Sequence, residues 1–381
     1  MAGLYVHIPF CVTRCVYCDF YSNTHLEYKE AFINALLREM EIRRDAWRDE
    51  VFETVYFGGG TPSVLQPKEQ QRLFDGIYRC FAVSDKPEIT IEANPDDLSG
   101  SYITSLTKMP FNRISVGVQS FNDRELRLLN RRHTALEAIE AVTRCQAAGL
   151  TNISIDLMFG LPDQTAENLS QTIDKALELD VSHLSAYNLS YEEDTPIYRM
   201  KENKEINPVD DDVCERFYHM LSGKLTSAGF VHYEISNFAR RSAQYPDGRI
   251  SLHNSSYWNG TPYLGLGPSA HSYDGKSRSW NVSSLSGYID AIHQKPEALY
   301  ETEPLDERKR YNDFIITRLR TMWGISLDEL RRTFGKEREH YFLEKIEHPF
   351  FLKKLKKQGG NVKVLPGYFF VSDAIMRELI L

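Results

Sequence analysis

The chain has 381 residues, 42% of them hydrophobic and 26% charged, which suits a folded globular protein large enough for two or three domains. Its 45 Lys and Arg against 53 Asp and Glu leave a net charge of −8, which argues against broad binding to nucleic acid or anionic membrane. No apolar run is long enough to cross a bilayer; the apolar start Met1–Phe10 has no basic stretch before it and no small-residue cleavage site after it, so it reads as the first strand of a cytoplasmic protein.

Apolar and polar periodicity then sets out a regular series. Leu4–Ile8 reads as a strand, and Tyr28–Arg48 as a helix with Phe32, Leu36, Leu37 and Met40 on one face. Strand Val51–Phe57 ends on Gly58-Gly59-Gly60, and helix Lys68–Cys80 leads to strand Glu88–Ala93. Strand Arg113–Val118, helix Ala135–Ala148, strand Asn152–Phe159, helix Ala166–Leu179 and strand His183–Ser190 continue the pattern. Six strand–helix repeats predict an α/β fold whose parallel sheet is wound into a partial (β/α)6 barrel. Ligand chemistry is then expected at the C-terminal ends of the strands.

Beyond Ser190 the rhythm changes. A helix is expected over Asp210–Ala228, an extended stretch over Val231–Phe238, and a loop rich in Gly, Ser, Asn and aromatics over Arg240–Trp280. A Glu- and Pro-rich linker, Lys295–Pro304, sets off a helix-rich tail with a hairpin of Val362–Leu365 and Tyr368–Val371 around Pro366-Gly367, a winged-helix-like arrangement. The expected division is a core over 1–200, an extension of that core over 201–300 and a helical domain over 301–381. The run Lys353-Lys354-Leu355-Lys356-Lys357 reads as a solvated helix face in preference to a patch for acidic lipid or a partner.

Six cysteines are present. Cys80, Cys145 and Cys214 stand alone and read as small buried hydrophobes. Cys11, Cys15 and Cys18 crowd into eight positions just past the first strand. Thiolates favour iron–sulfur clusters or zinc. Zinc needs a fourth ligand, for which His7 or His25 is available, and would make the chain a zinc-stabilised binding module. A four-iron cubane held by three protein thiolates leaves one iron open, and the CxxxCxxC spacing lets one loop wrap three corners of it.

On these residues the sequence resembles the radical S-adenosylmethionine (SAM) superfamily, and within it the branch of oxygen-independent coproporphyrinogen III oxidase-like proteins. Tyr5-Val-His-Ile-Pro-Phe-Cys11 matches the opening motif of that branch, and Tyr17 fills its aromatic slot before the third cysteine. The resemblance covers essentially the whole chain. It implies a 4Fe–4S cluster on Cys11, Cys15 and Cys18, with SAM chelating the open iron. It further implies that Gly59, Gly60 and Thr61 of the glycine run receive the methionine amino group. Glu92, Gln119, Arg131 and Asp156 align with residues that contact SAM, alongside Tyr5 and Tyr17. These roles suit the side chains: carboxylates for ribose hydroxyls and sulfonium charge, an arginine fork for the methionine carboxylate. Each residue by itself could equally be a satisfied structural polar group. Tyr17, Phe20 and Tyr21 could stack on adenine, shield the cluster or fill core.

Two departures bear on activity. The oxidases carry a further cysteine two residues after the third ligand, where Phe20 stands here, and an extension before the first strand, whereas Tyr5 lies almost at the start of this chain. His253-Asn-Ser-Ser-Tyr257-Trp258 instead matches the HNxxYW motif of a sister family of heme chaperones, with Tyr233–Ala239 and Gly265–Ser272 as flanking blocks. That resemblance implies heme, held by His253, handed to a respiratory apo-cytochrome, with transient contact at a membrane surface and a heme-linked dimer. Imidazole is a common heme ligand, and Tyr257 and Trp258 offer flat faces to a porphyrin. His271, His7 and His232 compete for the ligand role. The alternative is the radical decarboxylase itself, acting in porphyrin biosynthesis.

Overall fold

The computed structural model describes all 381 residues. Six parallel strands lie side by side in chain order: β1 (Ala2–Ile8), β2 (Val51–Gly59), β3 (Ala82–Ala93), β4 (Arg113–Gln119), β5 (Ile153–Phe159) and β6 (His183–Asn188). Helices α1 (Lys29–Arg43), α2 (Pro67–Cys80), α3 (Gly100–Leu106), α4 (Asp123–Leu128), α5 (Ala135–Ala147) and α6 (Ala166–Glu178) connect them. Helices α7 (Pro196–Glu202) and α8 (Asp211–Ser227) follow, before the hairpin of β7 (Phe230–Glu234) and β8 (Asn237–Arg240) ends the sheet, β8 pairing antiparallel with β6 and β7 lying outermost. The arrangement is the α/β partial barrel that the repeats predict. Helix α1 buries Phe32, Leu36 and Met40 as its spacing requires.

Side chains in the parallel strands alternate strictly. Leu4, Val6, Ile8, Val55, Phe57, Ile89, Ile91, Ile114, Val116, Ile155 and Leu157 point outward into one large core shared with the helices. The intervening residues, Tyr5, Tyr56, Glu92, Arg113, Ser115, Ser154, Asp156 and Ser185, face inward. Parallel strands buried on both faces normally read as unbroken apolar runs. Here the period of two marks a polar interior, which suits a ligand chamber.

The region from Arg240 to Trp280 is not a loop. It holds α9 (Leu252–Trp258), β9 (Tyr263–Leu266), β10 (His271–Tyr273) and the start of β11 (Ser277–Asn281). Strand β9 joins β1 in parallel on its free edge, and β10 and β11 extend the sheet antiparallel. The expected extended stretch Val231–Phe238 is the tight β7–β8 hairpin. After α10 (Leu285–Gln294), the supposed linker supplies the edge strand β12 (Tyr300–Pro304), paired along its length with β11.

The tail contains α11 (Glu307–Leu319), β13 (Ile325–Ser326), α12 (Leu327–Ile346), β14 (Leu355–Gln358), β15 (Asn361–Val364) and α13 (Ser372–Arg377). Its hairpin is β14–β15, turned by Gly359 and Gly360 at φ 59° and 79°, and not the expected pair around Pro366-Gly367. Two left-handed glycines suit a two-residue hairpin turn, whereas Pro366 opens a short 3-10 turn. The lysine run therefore lies on a turn and strand β14, not on a helix.

Candidate functional site

The cysteine loop leaves the C-terminal end of β1 and is pinned at its base. Cys11 N donates to Asn23 O and Asn23 N to Pro9 O, each at 2.8 Å. Its middle is held by Asn130 Nδ2 to Arg14 O at 2.8 Å and by Ile197 N to Val16 O at 2.9 Å. The three thiols sense one another. Burial first, then Cys15 and Cys11, push the Cys18 thiol up to about 11, and Cys11 is raised by burial and by Cys15. No three His, Cys, Asp or Glu side chains gather as ligands of one ion. His7 spends both ring nitrogens, on Tyr5 Oη at 3.0 Å and on Tyr21 O at 2.9 Å. His25 lies exposed beside Glu27. The zinc reading thus lacks its fourth ligand.

A chain of hydrogen bonds runs from one cysteine to another through the strand ends. Thr61 Oγ1 donates to Cys11 Sγ at 3.4 Å, and Asn94 Nδ2 donates to Thr61 Oγ1 at 3.3 Å. Arg131 donates to Asn94 Oδ1 at 2.6 Å, to Gly117 O at 2.5 Å and to Cys15 Sγ at 3.3 Å. Its Nε is buried without a partner. Gln119, buried at the end of β4 with φ 68°, joins the same group. A Cβ on Gly117 would stand 3.0 Å from Gln119 Nε2 and 3.2 Å from an Arg131 nitrogen.

The glycine run lies against the loop. Gly60 N donates to Ile8 O at 2.8 Å, and a Cβ there would meet the Phe10 and Ile8 carbonyls at 2.8 and 2.9 Å. Gly59 has φ 107° and faces the His7 ring. Both positions require glycine. Glu92 accepts from Gly59 N at 3.1 Å and from Tyr56 Oη at 2.8 Å. Burial pushes its carboxyl to about 7, with Asp156 adding to the rise. Asp156 accepts from Ser115 Oγ at 3.3 Å, and burial lifts it to about 6. Tyr5 stacks on Tyr56 at 6.2 Å, and Tyr17 packs beside Leu129 and Met158.

The predicted residues therefore converge on one mouth, and the donor set fits a 4Fe–4S cluster with SAM on its open iron. Cys11, Cys15 and Cys18 would hold the cube. Arg131, with its unspent Nε, would meet the methionine carboxylate, and the ionised forms of Glu92 and Asp156 would meet ribose and sulfonium. Asn94 and Gly117 complete the arrangement and were not singled out by sequence; Asn94 precedes a proline and reads as a turn. Phe20 is 66% exposed, and Tyr21 acts as a strut through its hydroxyl to Leu285 N.

His253 stands elsewhere. It contacts the level of Gly3 on β1, four residues before His7, or about 13 Å lower along the strand. Helix α9 packs against β1 and β2 at this end. Leu252 N and His253 N donate to the Glu88 carboxylate at 3.1 and 2.9 Å. The His253 ring stacks on Tyr56 at 4.9 Å and bonds Thr54 Oγ1 at 2.7 Å and Tyr257 Oη at 2.8 Å. Burial pulls its pKa down to about 3. Both nitrogens are engaged, so no face is open to a ligand as the ring stands. His232 is likewise enclosed by Tyr218, Ser222 and Phe238. His271, on the inner side of β10 beside Trp280, is exposed. Cys80, Cys145 and Cys214 are buried, as their isolation suggests.

The fold is that of a radical SAM protein, and residues 5–176 match the Radical SAM superfamily. The heme chaperone HemW of Bacillus subtilis (strain 168) is 34% identical over 365 residues, 94% of this chain and 92% of that one. The heme chaperone HemW of Mycobacterium tuberculosis (strain ATCC 25618 / H37Rv) is 32% identical over 382 residues, covering 99% and 94%. The structure of coproporphyrinogen III oxidase (HemN) from Escherichia coli superposes with TM-score 0.85 at 23% identity, over 100% of this chain and 90% of that one, which establishes the shared fold. The chain belongs to the HemW family of radical SAM proteins.

Proposed function

We propose that the protein is a heme chaperone that binds heme and delivers it to respiratory apo-cytochromes. The observation that carries this reading is the match along nearly the whole chain to relatives named as heme chaperones. An exposed phenylalanine, Phe20, standing where the oxidases have a cysteine supports it. When bound and reduced, the cluster supplies one electron to the sulfonium of SAM. The chain's own contribution at the mouth is to orient SAM through Arg131 and Glu92, and to hold the loop by the Thr61–Asn94–Arg131 chain of hydrogen bonds.

The proposed heme ligand is His253 of the HNxxYW segment. Ligation there requires Tyr257 to release the ring and α9 to loosen; His271 needs no such movement. Hemin titration of the anaerobically reconstituted chain, followed at the Soret band, tests the reading. Stable binding lost in His253→Ala supports both chaperone and ligand. Binding lost only in His271→Ala moves the ligand and keeps the function. A chain that retains no heme, or that converts coproporphyrinogen III to a vinyl product with reductant and SAM, overturns it in favour of the decarboxylase.

No helix is long and apolar enough to cross a membrane. Cytoplasmic location, transient membrane contact and heme-linked dimerisation are proposed on the family resemblance.

A further inference from the structure

On the far side of the sheet from the barrel interior, a cavity of about 300 Å³ opens between the last turn of α1 and strands β10–β12. Its base is the guanidinium of Arg43, which is 5% exposed. That group donates one side-chain hydrogen bond, to Ser272 Oγ at 3.2 Å, and lies 3.9 Å above the Tyr300 ring. Its Nε is buried without a partner. A guanidinium carries five N–H donors in a planar fork, and a buried cation left so sparsely paired is costly unless an anion completes it.

Of the nearby acids, Glu39 lies close enough for the Arg43 charge to hold its carboxyl down against burial, yet none of them accepts a hydrogen bond from the guanidinium. Glu39, one helical turn back, accepts from Gly267 N at 2.8 Å, Asn281 Nδ2 at 2.7 Å and Tyr288 Oη at 2.6 Å. Asp274 is turned to the amides of Lys276 and Ser277 at 2.8 and 2.6 Å. Glu50 pairs with the Met1 ammonium at 2.8 Å. Two hydroxyls, Ser279 and Thr302, stand directly opposite each other on β11 and β12 and line the cavity.

We propose that this cavity is a binding site for a small oxyanion, a single phosphate or carboxylate group held by the Arg43 fork with help from Ser279 and Thr302. The acids at the rim disfavour polyanions by repulsion. The site lies apart from the barrel mouth and shares none of the residues assigned to cluster or SAM.

The reconstituted full chain is titrated with inorganic phosphate, and separately with acetate, at constant ionic strength, by calorimetry and thermal melting. The expected result is saturable binding of at least one anion that raises the melting temperature. Phosphate alone identifies a phosphorylated compound as ligand, acetate alone a carboxylate. Arg43→Met is expected to weaken binding at least tenfold. Ser279→Asp, at a partly exposed strand position, places a competing carboxylate in the cavity and is expected to do the same in a chain that keeps its iron content. Absence of saturable binding by either anion, or equal binding in the Ser279→Asp chain, overturns the proposal.

Discussion

Glu92 carries a proton at a pH where a surface glutamate would not. Its carboxyl rises from 4.5 to about 7 because it is buried and faces Asp156. The folded chain therefore holds this proton more tightly than the unfolded chain does, and the linked stabilisation is full below pH 4.5 and lost as pH climbs towards 7. A cationic sulfonium favours the ionised carboxylate. SAM affinity, measured by equilibrium dialysis, is expected to rise about tenfold between pH 6 and 8. Glu92→Gln should flatten that profile; an unchanged slope would remove Glu92 from the sulfonium. Gly117 offers a test with the charges left in place. The methyl of Gly117→Ala would press on Gln119 and Arg131 at 3.0 and 3.2 Å. SAM binding should weaken at least tenfold, while iron content and melting temperature stay close to those of the parent. A normal affinity would show that the Arg131 fork is not the carboxylate clamp.

At the scale of elements, α9 is the most informative. His253 links β2 to its own helix through Thr54 and Tyr257. Deleting the ring leaves two buried hydroxyls short of partners and opens a void under Tyr56, a combination that costs about 2–4 kcal/mol. His253→Ala should therefore lower the denaturation midpoint of the heme-free chain. Equal stability of parent and variant would mean that α9 is loose in solution and the ring free to turn. The sequence made the six parallel strands and helices α1, α2, α5, α6 and α8 legible because long periodic segments declare themselves locally, whereas α3, α4 and α7, of six or seven residues, are too short to show a period. It hid β9 to β12 because these strands have three to five residues, too few to show a period of two, and β9 owes its place to β1, far away in sequence. The cysteine triplet stood out by its spacing, whereas the glycine run and the strand-end residues Glu92, Gln119, Arg131 and Asp156 became candidates only through the family resemblance. Asn94 and Gly117 were not legible, since an asparagine before proline and a glycine in a strand have commoner local explanations. The engagement of both His253 nitrogens likewise depends on Thr54, 199 residues away.

For the whole molecule, the tail and barrel meet under α9. Arg318 donates to Trp258 O and to Asn259 O at 2.7 Å, and pairs with Glu329 at 2.7 Å, while Arg320 covers the Trp258 ring at 4.3 Å. These contacts tie the C-terminal region to the end of α9. Arg318→Ala, which leaves two helix-end carbonyls and Glu329 unpaired, should cost about 2 kcal/mol and lower the melting temperature with iron content unchanged. Separate melting of tail and barrel in the parent protein would show that the two are not coupled in this way.

The anchoring of α9 has a consequence for traffic. Glu88, Thr54 and Tyr257 tie α9 and its His253 across β2 and β3, at the opposite end of the sheet from the cysteine loop. Any passage beneath α9 therefore requires the Glu88 and His253 hydrogen bonds to break first.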